Sequence, residues 1–281
     1  MKFVNLSDNH THSRHSHDGC ETIDDMCARA KELGLKYYTI TDHCEIDDYA
    51  YEEYQFYRDR VHGAYEDMIA KKEIYPFFLA GIEMAQSLQS IKSVENILNG
   101  REYDFVIGSI HRLENFEDFA YWDTQPYRGE TLWTPEILPK EKAIERYLLD
   151  ILELAKWGKV DTIAHLTYPL RYMMNDDGSR MNFDKHSDIV REIFKTIIQN
   201  GTSLEINTSG LRQAIGEVLP NRDFLKLYKE MGGELLTVGS DAHFVTDLGK
   251  GLQEGFEIMQ DLGFKYYCVY KNRKAIMMNV E

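Results

Sequence analysis

The run Asp8-Asn9-His10-Thr11-His12-Ser13-Arg14-His15-Ser16-His17-Asp18 places four of the chain's ten histidines within eight residues. It follows residues 2–6, a short apolar segment that reads as a buried strand. If residues 9–12 continue that strand, its two-residue alternation sets His10 and His12 on one face, with Asp8 pointing the same way. Two imidazoles and a carboxylate on one face suit a divalent metal. The plain alternative is a histidine-rich polar loop. A purification tag would be contiguous and terminal, whereas this run is interrupted and follows an apolar strand.

The same residue types recur wherever the sequence reads as the end of a strand. Predicted strands at 36–43, 77–83, 103–111, 160–165, 203–207 and 234–243 follow the first one. Their ends carry Asp42/His43, Glu83, His111, His165, Glu205/Asn207 and Asp241/His243, in addition to Asp8/His10/His12. Predicted helices at 22–33, 48–72, 93–98, 140–157, 187–200, 221–231 and 252–262 separate or follow these strands, and residues 266–270 and 275–280 read as a terminal strand or hairpin. Strands alternating with helices imply a parallel sheet, open or closed into a barrel. In a barrel all the strand ends converge on one face. With His15 and His17 in the first loop, eight of the ten histidines belong to that face; His62 and His186 read as surface residues.

Composition narrows the function. At 281 residues the chain suits one large α/β domain or two small ones. Its net charge of −15 repels a long phosphate backbone, so no nucleic-acid partner is expected. No glycine-rich dinucleotide or P-loop fingerprint follows any strand. Cys20, Cys27, Cys44 and Cys268 form no C-x-x-C pair and read as reduced, small buried residues of a cytoplasmic protein. There is no leader and no apolar stretch of membrane-spanning length, so no membrane association is expected. Residues 112–138 break the rhythm with Tyr121, Trp122, Tyr127 and Trp133 among acids, which fits either a lid or an apolar plug.

Imidazoles mixed with carboxylates, without cysteine pairs, point to Zn, Mn or Fe. One ion needs about four to six donors. The donors outnumber that, so a cluster of two or three ions sharing a carboxylate is the economical reading. Such clusters activate water and clamp both oxygens of an in-line displacement, which is phosphate-ester chemistry. The residues by themselves reach a small, non-polymeric phosphomonoester.

The ordered set H-x-H, T-D-H, G-x-E, G-S-x-H, A-H, E-x-N and S-D-A-H resembles the PHP (polymerase and histidinol phosphatase) family, from His10 to His243. The resemblance implies one catalytic domain over 1–281, a distorted (β/α)7 barrel with its metal site at the C-terminal ends of the strands, and an irregular insertion at about 112–138. It implies a first metal on His10, His12, Glu83 and Asp241, a second on Glu83, His111 and His165, and a third on His17, His43 and His243. Leu166 stands where many relatives have proline. The runs H-T-H-S-R-H-S-H-D-G and E-I-N-T-S-G-L-R are most similar to free-standing members that hydrolyse L-histidinol phosphate in histidine biosynthesis.

The expected chemistry is attack of a metal-bound hydroxide on the phosphoryl group, without a phosphoenzyme. Asp42, beside His43, and His15, between His12 and His17, are the candidate acids for the leaving alcohol, with orientation of a neighbouring imidazole as the alternative for Asp42. Arg14, Arg171 and Arg212, on loops after strands, are the candidate phosphate contacts, ahead of Arg112 and Arg180. Acids and aromatics of the 112–133 loop offer contacts for the substrate's cationic end. Competing readings are a phosphoesterase acting on nucleotides or short oligonucleotides, a metal-stabilised scaffold, and an amide hydrolase, whose usual carbamylated lysine is here replaced by Glu83. The oligomeric state is left open.

Overall fold

A computed structural model describes residues 6–51, 53–121, 138–175 and 177–280. Most of the predicted first strand, and Trp122, Asp123, Tyr127 and Trp133 of the irregular segment, lie outside the described residues. The elements in chain order are α1 (Ile23–Glu32), β1 (Tyr38–Ile40), β2 (His43–Glu45), α2 (Ile46–Ala50), α3 (Gln55–Lys72), β3 (Phe78–Ala85) and α4 (Ile91–Leu98). There follow β4 (Phe105–Ser109), α5 (Lys140–Trp157), β5 (Thr162–Ile163), α6 (Ser187–Asn200), β6 (Ser203–Asn207) and α7 (Arg222–Glu230). The series closes with β7 (Leu236–Gly239), α8 (Leu252–Asp261), β8 (Tyr266–Lys271) and β9 (Lys274–Asn279).

Strands β1 to β7 are buried along their whole length, as expected of parallel strands covered on both faces. They pair in parallel in the order β1/β2, β3, β4, β5, β6, β7. Residues 6–12 bridge the two edges. On one side Lys36 N donates to Leu6 O, Asp8 N to Tyr37 O and Thr39 N to Asp8 O. On the other, Asn9 N donates to Val238 O, Asp241 N to His10 O and His12 N to Ala242 O. The sheet therefore closes into the expected distorted barrel, with His10 and His12 inside the ring.

Local sequence accounts for the helices that hold this ring. In α1 the buried residues Ile23, Met26, Cys27 and Ala30 recur at helical spacing, and Thr22 and Asp25 form a reciprocal N-terminal cap. Two expectations need correction. The predicted helix 48–72 is two helices, because Tyr51 is extended and the chain re-enters helix only after Tyr54. The predicted strand 36–43 is interrupted at Thr41–Asp42, so β1 and β2 are separate pieces on the same edge of β3.

The β8–β9 hairpin caps the end opposite the strand C-termini. Tyr270 stacks on Phe105 at 5.1 Å, and its hydroxyl lies 2.9 Å from Ser203 Oγ. Tyr267 meets Ser7 Oγ at 2.9 Å. Phe105 and Tyr270 form an apolar floor with Ile107, Ala164 and Cys268. The hairpin thus covers one end of the barrel, and the other carries the chemistry. Cys27, Cys44 and Cys268 are buried as expected, while Cys20 is exposed. Among the described residues no helix is long and apolar enough to cross a membrane.

Candidate metal centre

The register Glu83↔His43 between β3 and β2 sets a buried carboxylate beside an imidazole at the open end. Glu83 Oε2 lies 2.8 Å from His43 Nδ1, 3.3 Å from His10 Nε2 and 3.7 Å from His12 Nε2. Glu83 Oε1 lies 3.0 Å from His111 Nε2 and 3.1 Å from His165 Nε2. Each oxygen of one carboxylate thus faces its own group of imidazoles. Asp241 Oδ1 joins the first group, 3.3 Å from His12 Nε2 and 3.7 Å from His10 Nε2. Its backbone is left-handed, with φ of 51°, an unusual state for a non-glycine residue that re-aims the chain at the end of β7. Asn207 Nδ2 donates to Asp241 Oδ2 at 3.1 Å and Arg171 Nη2 lies 3.8 Å from the same oxygen, which leaves Oδ1 for the cluster.

The opposite ring nitrogens are tied from behind. His10 Nδ1 lies 2.6 Å from Glu205 Oε1, and His111 Nδ1 lies 2.8 Å from Glu45 Oε1. An ionised carboxylate only accepts, so both Nδ1 atoms carry the proton. Ser16 Oγ donates to Asp42 and so accepts from His12 Nδ1 at 3.0 Å. In neutral rings all three Nε2 lone pairs then face carboxylate oxygens or one another, which repels unless cations stand between them.

Imidazoles and carboxylates also pull on one another's protons. Burial alone would raise Glu83, but His111, His10 and His43 outweigh it and hold the carboxyl well below its usual range. Burial would lower His10, yet Glu205, Glu83 and Asp241 raise it. His12 goes the other way, lowered by burial and by His243 and His43. His12 stacks on His43 and on His243 at 4.1 Å each, and the Nε2 atoms of His43 and His243 lie 3.3 Å apart. His12 Nε2 is buried without a hydrogen-bond partner. Packed donors with unpaired nitrogens fit divalent cations of the borderline class.

Every residue of the expected ligand set falls within a group of mutually close donors. These groups are His10/His12/Glu83, His10/His165/Asp241, His43/Glu83/His111, His12/His43/His243 and His17/Asp18/His43. The structure brings the first two expected sets together around Glu83. Of the third, His43 and His243 adjoin the cluster, while the His17 side chain, 58% exposed, stands at the rim with its ring 5.4 Å from His43.

A 400 Å³ cavity opens over the cluster, lined among others by His17, His43, His111, His165, Asp241 and His243. Arg171 and Arg212 are on its wall. Arg171 is buried, donates through Nη2 to Ser209 Oγ at 2.9 Å, and keeps an unpaired Nε. Arg212 Nη2 donates to Ser240 O at 2.8 Å.

The other expected roles fare differently. Asp42 is buried off the cavity, its carboxylate saturated by Ser13 N, Ser13 Oγ and Ser16 Oγ at 2.6, 2.7 and 2.8 Å. His15 turns to Asp67 on α3, with Nε2 3.2 Å from Oδ2. Arg14 is exposed and does not line the cavity. Arg112 is locked to Asp47 and Asp48, and Arg180 donates to Ala214 O. Asp8 receives Ser240 N, Ser240 Oγ and Gly249 N rather than facing the cluster. The supports that sequence reasoning missed are Glu45, two residues past His43 on β2, and Asp18, which lies 3.2 Å from His243 and 3.7 Å from His43.

Comparison with known proteins agrees with this geometry. The PHP domain family matches residues 8–209. A probable histidinol-phosphatase of Thermotoga maritima is 28% identical over 270 residues, covering 94% of this chain and 95% of that protein. The histidinol-phosphatase of Lactococcus lactis is 25% identical over 282 residues, covering 96% and 98%. Among solved structures, the crystal structure of histidinol phosphate phosphatase from Lactococcus lactis, complexed with zinc, L-histidinol and phosphate, superposes with a TM-score of 0.76 at 22% identity. The alignment covers 98% of this chain and all of that one, and shows a shared fold.

Proposed function

The chain belongs to the PHP domain family, and from that premise we propose that it hydrolyses a small phosphomonoester, L-histidinol phosphate, to L-histidinol and phosphate. A metal-dependent phosphatase activity is what its relatives' names and the donor cluster have in common. The observation that carries the reading is the arrangement of one cavity, with Arg171 and Arg212 on the wall and the Glu83-centred donors on the floor.

The expected ligands His10, His12, Glu83 and Asp241, then Glu83, His111 and His165, then His17, His43 and His243 would hold two to three divalent ions. When bound, these supply Lewis acidity and water activation at neutral pH. The chain's own residues do the rest. Glu83 offers one oxygen to each imidazole group and so sets the spacing of the centre. Arg171, with its unpaired Nε, binds and orients the phosphoryl oxygens by charge-assisted hydrogen bonds. Arg212, tethered to the backbone at the end of β7, supports the same anion from the β6 side. Asp42 keeps the Ser13–Ser16 turn in place and thereby orients His12. Neither Asp42 nor His15 is directed at the cavity, so the departing alkoxide takes its proton from water that enters the open cavity.

The test is phosphate release from L-histidinol phosphate, p-nitrophenyl phosphate and a nucleoside monophosphate, with metal content assayed on the same sample. A strong preference for L-histidinol phosphate with two to three ions per chain is expected. Equal rates on all three would remove the substrate assignment, and no release from loaded protein would remove the hydrolase.

A further inference from the structure

Three carboxylates line the cavity without belonging to the expected ligand set: Asp18, Asp118 and Asp247. Two of them face basic side chains. Asp18 lies against His43 and His243, and Asp247 meets Lys250 at 2.9 Å. Among the described residues, Asp118 meets no lysine, arginine or histidine within ion-pair distance.

Asp118 is nevertheless held firmly. Its Oδ1 accepts from the Tyr168 hydroxyl and from Ala120 N, each at 2.7 Å, and among the described residues Oδ2 has no hydrogen-bond partner. Tyr168 is itself buried at the centre of the site. Its ring centroid lies 5.1 Å from that of His111 and 5.0 Å from that of His165, and Arg171 Cζ sits 5.1 Å over its face. One ring therefore carries the guanidinium over its face, two cluster imidazoles alongside, and at its hydroxyl a carboxylate that meets no cation among the described residues. An anion gripped by Arg171 has a negative charge waiting one small-molecule length away.

We propose that Asp118 reads a protonated amine next to the phosphate ester, so that the cavity selects phosphomonoesters of amino alcohols. The proposal rests on the phosphomonoesterase reading above and names the feature of the substrate that is selected. A neutral or anionic ester would leave Asp118 desolvated and unpaired; an ammonium group forms a charge-assisted hydrogen bond with Oδ2. Sites built to bond a polar group reject analogues lacking it far more strongly than apolar pockets reject a missing methylene. The competing role for Asp118 is structural only, an anchor for Tyr168 and for the turn at Ala120.

Binding separates the two roles without requiring turnover. The metal-loaded full chain and Asp118→Asn are titrated calorimetrically with L-histidinol and with its deamino analogue, 3-(imidazol-4-yl)propan-1-ol. Asparagine keeps an Oδ1 acceptor for both anchoring donors. The wild type should prefer the amine by at least about tenfold, and Asp118→Asn should bring that ratio close to one. Asp118→Glu, which keeps the charge but displaces it, should retain part of the preference and serves if the asparagine variant does not fold. An amine preference absent from the wild type, or unchanged in Asp118→Asn, overturns the proposal. Amine preference that depends on Asp118, with no phosphate released from any ester, would retract the hydrolase and leave the amine site standing.

Discussion

His111 Nδ1 lies 2.8 Å from Glu45 Oε1, and that contact decides which nitrogen of the ring faces Glu83. Glu45 is buried and is held in turn by Gln86 Nε2 at 2.5 Å. Burial would raise its carboxyl, yet His111 and Arg112 outweigh it and keep the group ionised. Glu45→Gln leaves the shape and removes the charge. Outer partners of this kind typically contribute 10–100-fold to metal affinity. The expected outcome is a loss of about that size at the His111 side of the centre, read by chelator competition, with the fold intact by circular dichroism. Unchanged metal affinity would show that Glu45 has no part in orienting the ring.

Arg171 gives a second test, directed at the phosphate. Its guanidinium sits over the rings of Tyr168 and Tyr172, with Cζ 5.1 and 5.7 Å from their centroids, and donates to Ser209, so lysine cannot reproduce its fork. A hydrogen bond to a charged group contributes about 1.5–3 kcal/mol, or roughly 10–150-fold in affinity. Arg171→Lys should raise KM for the ester and the inhibition constant of inorganic phosphate by similar factors in that range. A phosphate inhibition constant that does not move would remove Arg171 from the anion site.

The contrast between Glu83 and Asp42 explains what was legible in the sequence. Parallel strands covered on both faces read as apolar runs, and the residues that break those runs at their ends stand out; Glu83, His111, His165 and Asp241 were visible for that reason. Sequence neighbours of a ligand are a poor guide, because successive strand residues point to opposite faces. Asp42, next to His43 but in the break between β1 and β2, faces Ser13 and Ser16 rather than the cavity. Glu45 was hidden by the interruption at Thr41–Asp42. With the strand read as ending at His43, nothing indicated that β2 resumes and returns Glu45 to the His43 side. Loop residues carry no periodicity, so Arg14 could not be told from Arg171 by spacing.

The last test concerns stability, away from the centre. Asp150 sits on α5 in a small recess with Glu114 and Arg146, and burial raises its carboxyl to about 6, with Arg146 only partly opposing. A folded-state value above the unfolded one means that the native chain binds more protons between about pH 4 and pH 6. Stability contributed by this group is then present below pH 4, falls as pH rises through 6, and stays lost above it. The shift of about two units would amount to at most about 3 kcal/mol, and access of water to this half-buried group reduces it to about 1 kcal/mol. Asp150→Asn removes the penalty. Its Tm should match the wild type at pH 4 and exceed it by about 2–4 °C at pH 8. Equal midpoints at both pH values, or a gain confined to pH 4, would refute the assignment of Asp150 as a strained buried acid.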